Sequence, residues 1–249
     1  MPDEPFDPNN IPLGVMKPDS VRWINELVHR LTSRRRDSVI IQDPVSKFRI
    51  AGMVEAYCQT CLHRSVNLVI ASSRLIHSGD GLGAMIIGRS LMETVAAFDW
   101  YKRNIVRLIE TGNIDEVHDF VHAVGFATRL DHLIEKAGTA AVKATSILTQ
   151  IDGLTKLRAE ARKEYDHLCE VTHPNSYGIF LLFGNFDHKN DVVVMHAKDQ
   201  YPDESFKWTL VAARYLEFFE NALDEIDAKL PNLRELGVRY LKENLGNQG

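Results

Sequence analysis

Leu82-Gly83-Ala84-Met85-Ile86-Ile87-Gly88-Arg89-Ser90-Leu91-Met92-Glu93-Thr94-Val95-Ala96-Ala97-Phe98 is the stretch that decides the fold. At about 100° per residue, Ile86, Leu91, Val95, Phe98 and Trp100 point in different directions. A helix over about 82–109 is therefore apolar around nearly its whole circumference, the mark of a central, enclosed helix. Arg89 and Glu93 are the only formal charges between positions 82 and 98. Four apart, they share one face. Burying an unpaired ion costs several kcal/mol, so the two either satisfy each other and nearby polar groups or line a pocket that is wet or binds a ligand.

Outward from this helix, the pattern is helical nearly everywhere. On the N-terminal side, Asp19 or Ser20 can cap a helix carrying Ile24, Leu27, Val28 and Leu31, which ends in the basic run at 34–36. Gln42-Asp43-Pro44 breaks the chain before a long helix over 46–77 carrying Met53, Tyr57, Leu62, Val66 and Ile70, closed by Ser78-Gly79-Asp80-Gly81. On the C-terminal side, Gly112-Asn113 precedes a helix over 114–136 with the stripe Val117, Phe120, Val121, Val124, Ile134, closed by Gly138. A short helix over 139–151 and a stronger one from Asp152-Gly153 to Thr172 follow. Pro174 disfavours helical backbone at the residue before it, which puts His173 at a helix end. The β-rich runs 179–183 and 192–195, separated by Gly184, Asn185, Asp187, Asn190 and Asp191, read as a hairpin. A helix over 204–229 and a short one beginning at Pro231 complete the chain. The expected fold is all-α: a single helical bundle over 18–249, with one β-hairpin insertion near residues 177–197 and a disordered N-terminal tail over 1–17.

Composition fits this reading. The 249 residues are 45% hydrophobic and 25% charged, close to a globular average, and a chain of this length buries roughly 70–75% of its unfolded surface. The net charge of −5 gives no general attraction to nucleic acid or to an anionic membrane. Three cysteines, an odd number, are simplest as reduced thiols in a cytoplasmic setting. The first 17 residues lack the basic and apolar regions of a signal peptide, and the segment 82–98 is too short and too charged to span a bilayer comfortably.

A second constellation lies at Tyr165-Asp166-His167-Leu168-Cys169-Glu170-Val171-Thr172-His173-Pro174-Asn175. Leu154, Leu157, Ala161, Tyr165, Leu168 and Thr172 fall on one inward stripe, so Tyr165 faces the core. Arg162, Asp166, Cys169 and His173 lie on the adjacent face, where a polar group is partly enclosed and still reaches solvent. Against this stands the plainer reading that His173 caps a helix end and Tyr165 packs.

Arg89-x-x-x-Glu93, followed some seventy residues later by Tyr165-x-x-Leu168-Cys169-x-x-x-His173-Pro174, resembles a bacterial family of helical proteins classed as a domain of unknown function. That family carries R-x-x-x-E and then Y-x-x-L-S-x-x-x-H, and Cys169 stands here where serine is usual. The resemblance covers about 53–174 and implies a helical fold. The family is loosely similar to HEPN domains, many of them ribonucleases with an R-x4-6-H motif in stress or phage defence. Arg162 and His167 fit that motif in letters but lie about 140° apart on the wheel, so a nuclease site would use Arg89 and His173 instead. On this reading Arg89 binds an anionic group, Glu93 orients it, Tyr165 donates a hydrogen bond, and His173 carries the proton. Asn175 and Arg162 supply further ligand contacts.

RNA or an anionic small molecule is the expected ligand, with no cofactor, no metal and no membrane partner. A homo-oligomer is compatible with this reading and with its rival, a non-enzymatic interaction module in which the same side chains form a buried polar network. Cys58-x-x-Cys61 and the pair His118 and His122 have ligand spacing, but a second C-x-x-C and a third ligand for the histidines are missing. Nucleotide-binding, hydrolase-elbow and zincin motifs are absent from the sequence.

Overall fold

The computed structural model describes residues 4–12, 14–41, 49–125, 127–137 and 144–245. Its helices are α1 (Pro18–Ser33), α2 (Ile50–His77), α3 (Gly81–Thr111), α4 (Ile114–Gly125), α5 (Asp131–Ala137), α6 (Ile147–Leu154), α7 (Ala161–Thr172), α8 (Pro202–Arg214) and α9 (Leu216–Leu245). One turn of π-helix (Ser176–Leu181) and an antiparallel hairpin of β1 (Gly184–Asp187) and β2 (Val192–Met195) separate α7 from α8. The fold is an all-α bundle with one β-hairpin.

α3 is the axis. It packs against α2, α4, α6, α7, α8 and α9, which is why its sequence leaves little room for a polar face. Asp80 caps it by accepting from the Gly83 amide at 2.9 Å. Gly112 ends it at φ 72°, a left-handed conformation that a Cβ would strain. Met85, Leu91, Val95, Phe98, Tyr101 and Ile105 are all buried, and Phe98 stacks on Phe219 of α9 with ring centroids 4.2 Å apart. Ile86, expected inside, is largely exposed. By length and composition alone α3 is apolar enough to cross a membrane, and 56% of its most apolar window is buried inside the protein.

The helix boundaries depart from expectation in physically legible ways. α1 begins at Pro18 after Lys17, with no side-chain cap from Asp19 or Ser20; proline at the first turn needs no amide partner. The helix expected over 114–136 is two, α4 and α5, divided after Gly125. The helix expected from Asp152 starts only at Ala161, because the chain turns between Leu154 and Ala161. Pro231 lies inside α9 and begins nothing. Pro231 and Asp227, whose carbonyl it frees, are both exposed, so the missing bond is open to hydration. Residues 179–183, read as a strand, belong to the π-helical turn and its exit, and β1 falls on the following residues. The breaker at 42–44, the first three residues of the helix expected over 46–77, and Gly138 to Lys143 lie outside the described residues.

The segment expected as a tail is fastened to the bundle. Phe6 is buried against Phe206, and Asn25 of α1 brackets its backbone, accepting from the Phe6 amide at 3.1 Å and donating to its carbonyl at 2.6 Å. The basic run after α1 is paired as well. Arg34 bridges Asp224 and Asp227 of α9 at 2.7 and 2.9 Å, and Arg36 meets Glu55.

Candidate functional site

Three of the nominated side chains meet. Arg89 and Glu93 occupy successive turns of α3, with Arg89 Nε donating to Glu93 Oε1 at 3.1 Å. α7 crosses beside them and delivers the hydroxyl of Tyr165, which donates to the same Glu93 oxygen at 2.8 Å. Two turns further along α7, Thr172 Oγ1 accepts from Arg89 Nη1 at 3.2 Å. The guanidinium carbon lies 5.7 Å from the centre of the Tyr165 ring, within cation–π range. Tyr165 is buried, whereas Arg89 and Glu93 keep 29% and 30% of their side-chain surface exposed. The cluster is thus a partly open rim between two helices.

Electrostatics there favour a permanently charged arginine beside a neutral tyrosine. Burial works against the charge of Arg89, but the neighbouring Tyr165, Cys169 and Glu93 outweigh it and hold its pKa above the ordinary value. Burial, and then the hydrogen bond to the Glu93 carboxylate, push the Tyr165 phenol well above its usual range. Tyr165→Phe, which deletes only the hydroxyl, is expected to cost about 1 kcal/mol, because water reaches the half-open Glu93 carboxylate in its place. A thermal melt checks this, and a loss of several kcal/mol would mean that the rim is sealed.

The other nominated residues stand apart from this cluster. His173 ends α7 in extended backbone, exposed, and its ring makes no hydrogen bond, ion pair or ring contact with a described residue. Asn175 is a capping residue: its side-chain oxygen accepts from the Gly178 amide at 2.9 Å and its amide donates to Glu170 at 2.6 Å. Arg162 is held on the surface by Asp166 and Asp152 at 2.9 and 2.7 Å. Its partner in the R-x4-H spelling, His167, stacks flat on Trp208 at 3.9 Å with Tyr177 edge-on, its Nε2 buried without a hydrogen bond. Burial lowers its pKa. The hairpin does not enter the core. Its strand residues are half-buried or exposed, and its principal contact outside itself is the π-helical turn.

A second arginine–glutamate–tyrosine cluster escaped the sequence reading. Glu164, buried next to Tyr165 on α7, accepts from Arg158 Nε at 2.9 Å, from Arg158 Nη2 at 2.5 Å and from the hydroxyl of Tyr215 at 2.5 Å. Tyr215 is itself buried and forms the joint between α8 and α9. A cavity of about 400 Å³ opens beside them, walled by Arg158, Arg214, Tyr215 and Phe218, with Glu160 and Glu217 at its edge. Burial raises the Glu164 pKa, but hydrogen bonds from Arg158 and Tyr215 prevail and leave it below the ordinary carboxylate value. In sequence, Arg158 and Glu164 are six apart, a spacing that pairs nothing on a helix. The turn between α6 and α7 is what brings them together.

Among the described residues, no group of three or more histidine, cysteine or acidic side chains is arranged to hold a metal. Cys58 and Cys61 face the core, where burial pushes Cys61 up to about 11 and Cys58 well above its ordinary value, so both are neutral thiols. His118 and His122 lie half-buried with ring centres 4.3 Å apart. No protein-family model, curated protein or solved structure matches the chain.

Proposed function

We propose that the protein binds a phosphate-bearing or similarly anionic ligand at the rim formed by Arg89, Glu93, Tyr165 and Thr172. The observation that carries this reading is the state of Arg89. Its guanidinium is fixed by Glu93 on one edge and Thr172 on another, lies beside the Tyr165 ring, and still has almost a third of its side chain open to solvent. A cation held this way meets an oxyanion with little ordering cost. Glu93 and Tyr165 act as its holders, their shared hydrogen bond keeping the carboxylate turned inward.

A second reading, a HEPN-like ribonuclease, is favoured by one specific observation. His173 follows Thr172 directly in the chain and carries an exposed ring without partners among the described residues, so a proton carrier stands next to the residue that Arg89 contacts. In the third reading, an interaction module, the same bonds simply fasten α3 to α7.

Titration with inorganic phosphate and with a labelled single-stranded RNA separates the three. Arg89→Ala is expected to weaken binding by about tenfold or more, the worth of a charge-assisted bidentate contact, while most of the protein stays folded. Cleavage of the RNA that His173→Ala abolishes without loss of binding supports the nuclease reading. Binding that falls only in step with the folded fraction, or no binding of either probe, removes the site and leaves the module.

A further inference from the structure

The hairpin leaves much of its apolar surface uncovered. Val192 and Val194 on one face, and Phe186 and Met195 on the other, are exposed, Met195 to 74%. Ile179 and Phe180 of the adjoining π-helical turn extend the apolar surface. β1 rests on that turn, whereas the principal contact of β2 is β1. A lone two-stranded hairpin is marginal in water and is normally completed by a further strand or a helix.

The free edge can be located from the register. Gly184 pairs with Met195, Asn185 with Val194, Phe186 with Val193 and Asp187 with Val192. One step beyond, the His196 amide donates to the Phe183 carbonyl at 2.8 Å. Hydrogen-bonded and non-bonded pairs alternate along an antiparallel ladder, so Val192, Val194 and His196 direct their amides and carbonyls at β1, and Val193 and Met195 direct theirs outward. That edge lacks the usual protections: from 192 to 195 there is no charge, no proline and no bulge. It is also held ready. The carboxylate of Asp187 accepts from the amides of Lys189 and Asn190 and from the Asn190 side chain, fixing the turn, and Asp191 takes a left-handed φ of 52°.

We propose that β2 is a docking edge for β2 of a second copy of this chain. An antiparallel strand on a two-fold axis is its own complement. With Val194 facing its mate on the axis, Val193 of each copy lies opposite Met195 of the other, and the two outward pairs exchange four main-chain hydrogen bonds. The paired positions carry no charge, so no like charges are opposed despite the net charge of −5 on each copy. The joined hairpins form a four-stranded sheet whose two apolar faces run across both copies. Four residues per strand make a small contact, of the transient class, so the dimer depends on concentration.

Sedimentation of the full chain from about 10 µM to about 1 mM is expected to show a reversible monomer–dimer equilibrium in this range. Hydrogen exchange supplies the residue-level readout: the amides of Val193 and Met195 exchange fast at low concentration and slow down as dimer forms, while those of Val192 and Val194 are protected throughout. Val193→Pro deletes an outward amide that no bond within the hairpin uses, and Met195→Lys puts a charge on the edge. Each is expected to weaken the dimer by about tenfold or more with the melting temperature of the dilute monomer unchanged. A wild-type chain that stays monomeric over the whole range overturns the proposal. So does a dimer indifferent to both substitutions, or one that forms without slowing exchange at Val193 and Met195.

Discussion

Replacing Glu164 by alanine is expected to destabilise the protein by about 3 kcal/mol, the lower end of what removing one partner of a buried, hydrogen-bonded ion pair costs. The lower end applies because Arg158 keeps 31% of its side chain exposed and regains some hydration once its partner is gone. Tyr215 does not: it is buried, and its hydroxyl loses its acceptor. In a chain of this size the change lowers the melting temperature by roughly 6–12 °C. Glu164→Gln, which keeps an acceptor in the same place, is expected to lose about half as much. The difference between wild type and the glutamine variant carries a pH signature. The folded carboxylate titrates below its ordinary value, so its contribution is complete above the unfolded pKa of about 4.3 and is lost as pH falls through the folded one. Urea unfolding at neutral pH and near pH 3 measures this directly. A gap between the two proteins that does not narrow in acid would mean that the charge of Glu164 contributes nothing.

Phe98→Ala is expected to have the largest effect of any single substitution considered, about 3–5 kcal/mol. Phe98 is fully buried on α3, stacked on Phe219 at 4.2 Å and within 6.4 Å of the Tyr101 ring. Truncation opens a ring-sized void where α3 meets α9, and rigid neighbours on both sides prevent collapse. Denaturant unfolding should show a lower midpoint with an unchanged slope. A loss below about 1 kcal/mol would mean that this seam is loosely packed.

What the sequence discloses and what it hides divide along the range of the interactions involved. The central position of α3 is written in its own residues, because a helix apolar on all sides has nowhere to lie but inside. The need of Arg89 and Glu93 for a partner follows from the same stretch, and Tyr165 lies on the inward stripe of its helix as periodicity requires. The turn between α6 and α7 has no such signature. Residues 155–160 contain neither glycine nor proline, so helical spacing runs through them unbroken and puts Leu157 inside, whereas it is exposed. The same turn carries Arg158 to Glu164, and Tyr215 reaches them from another pair of helices; no local pattern encodes a meeting of three segments. His173 illustrates the opposite error. Proline at 174 correctly marks a helix end, but the extended backbone it imposes leaves the ring outside the cluster that its neighbour Thr172 joins.

The order in which α3 acquires its neighbours also bears on how the chain is made. α3 is complete at Thr111, yet five of the helices that cover it, α4, α6, α7, α8 and α9, come later, the last ending at Leu245. At ordinary synthesis rates the ribosome takes roughly 7–27 s to deliver them. For that interval the central helix of the protein is bare on those sides, a natural client for a chaperone at the tunnel exit.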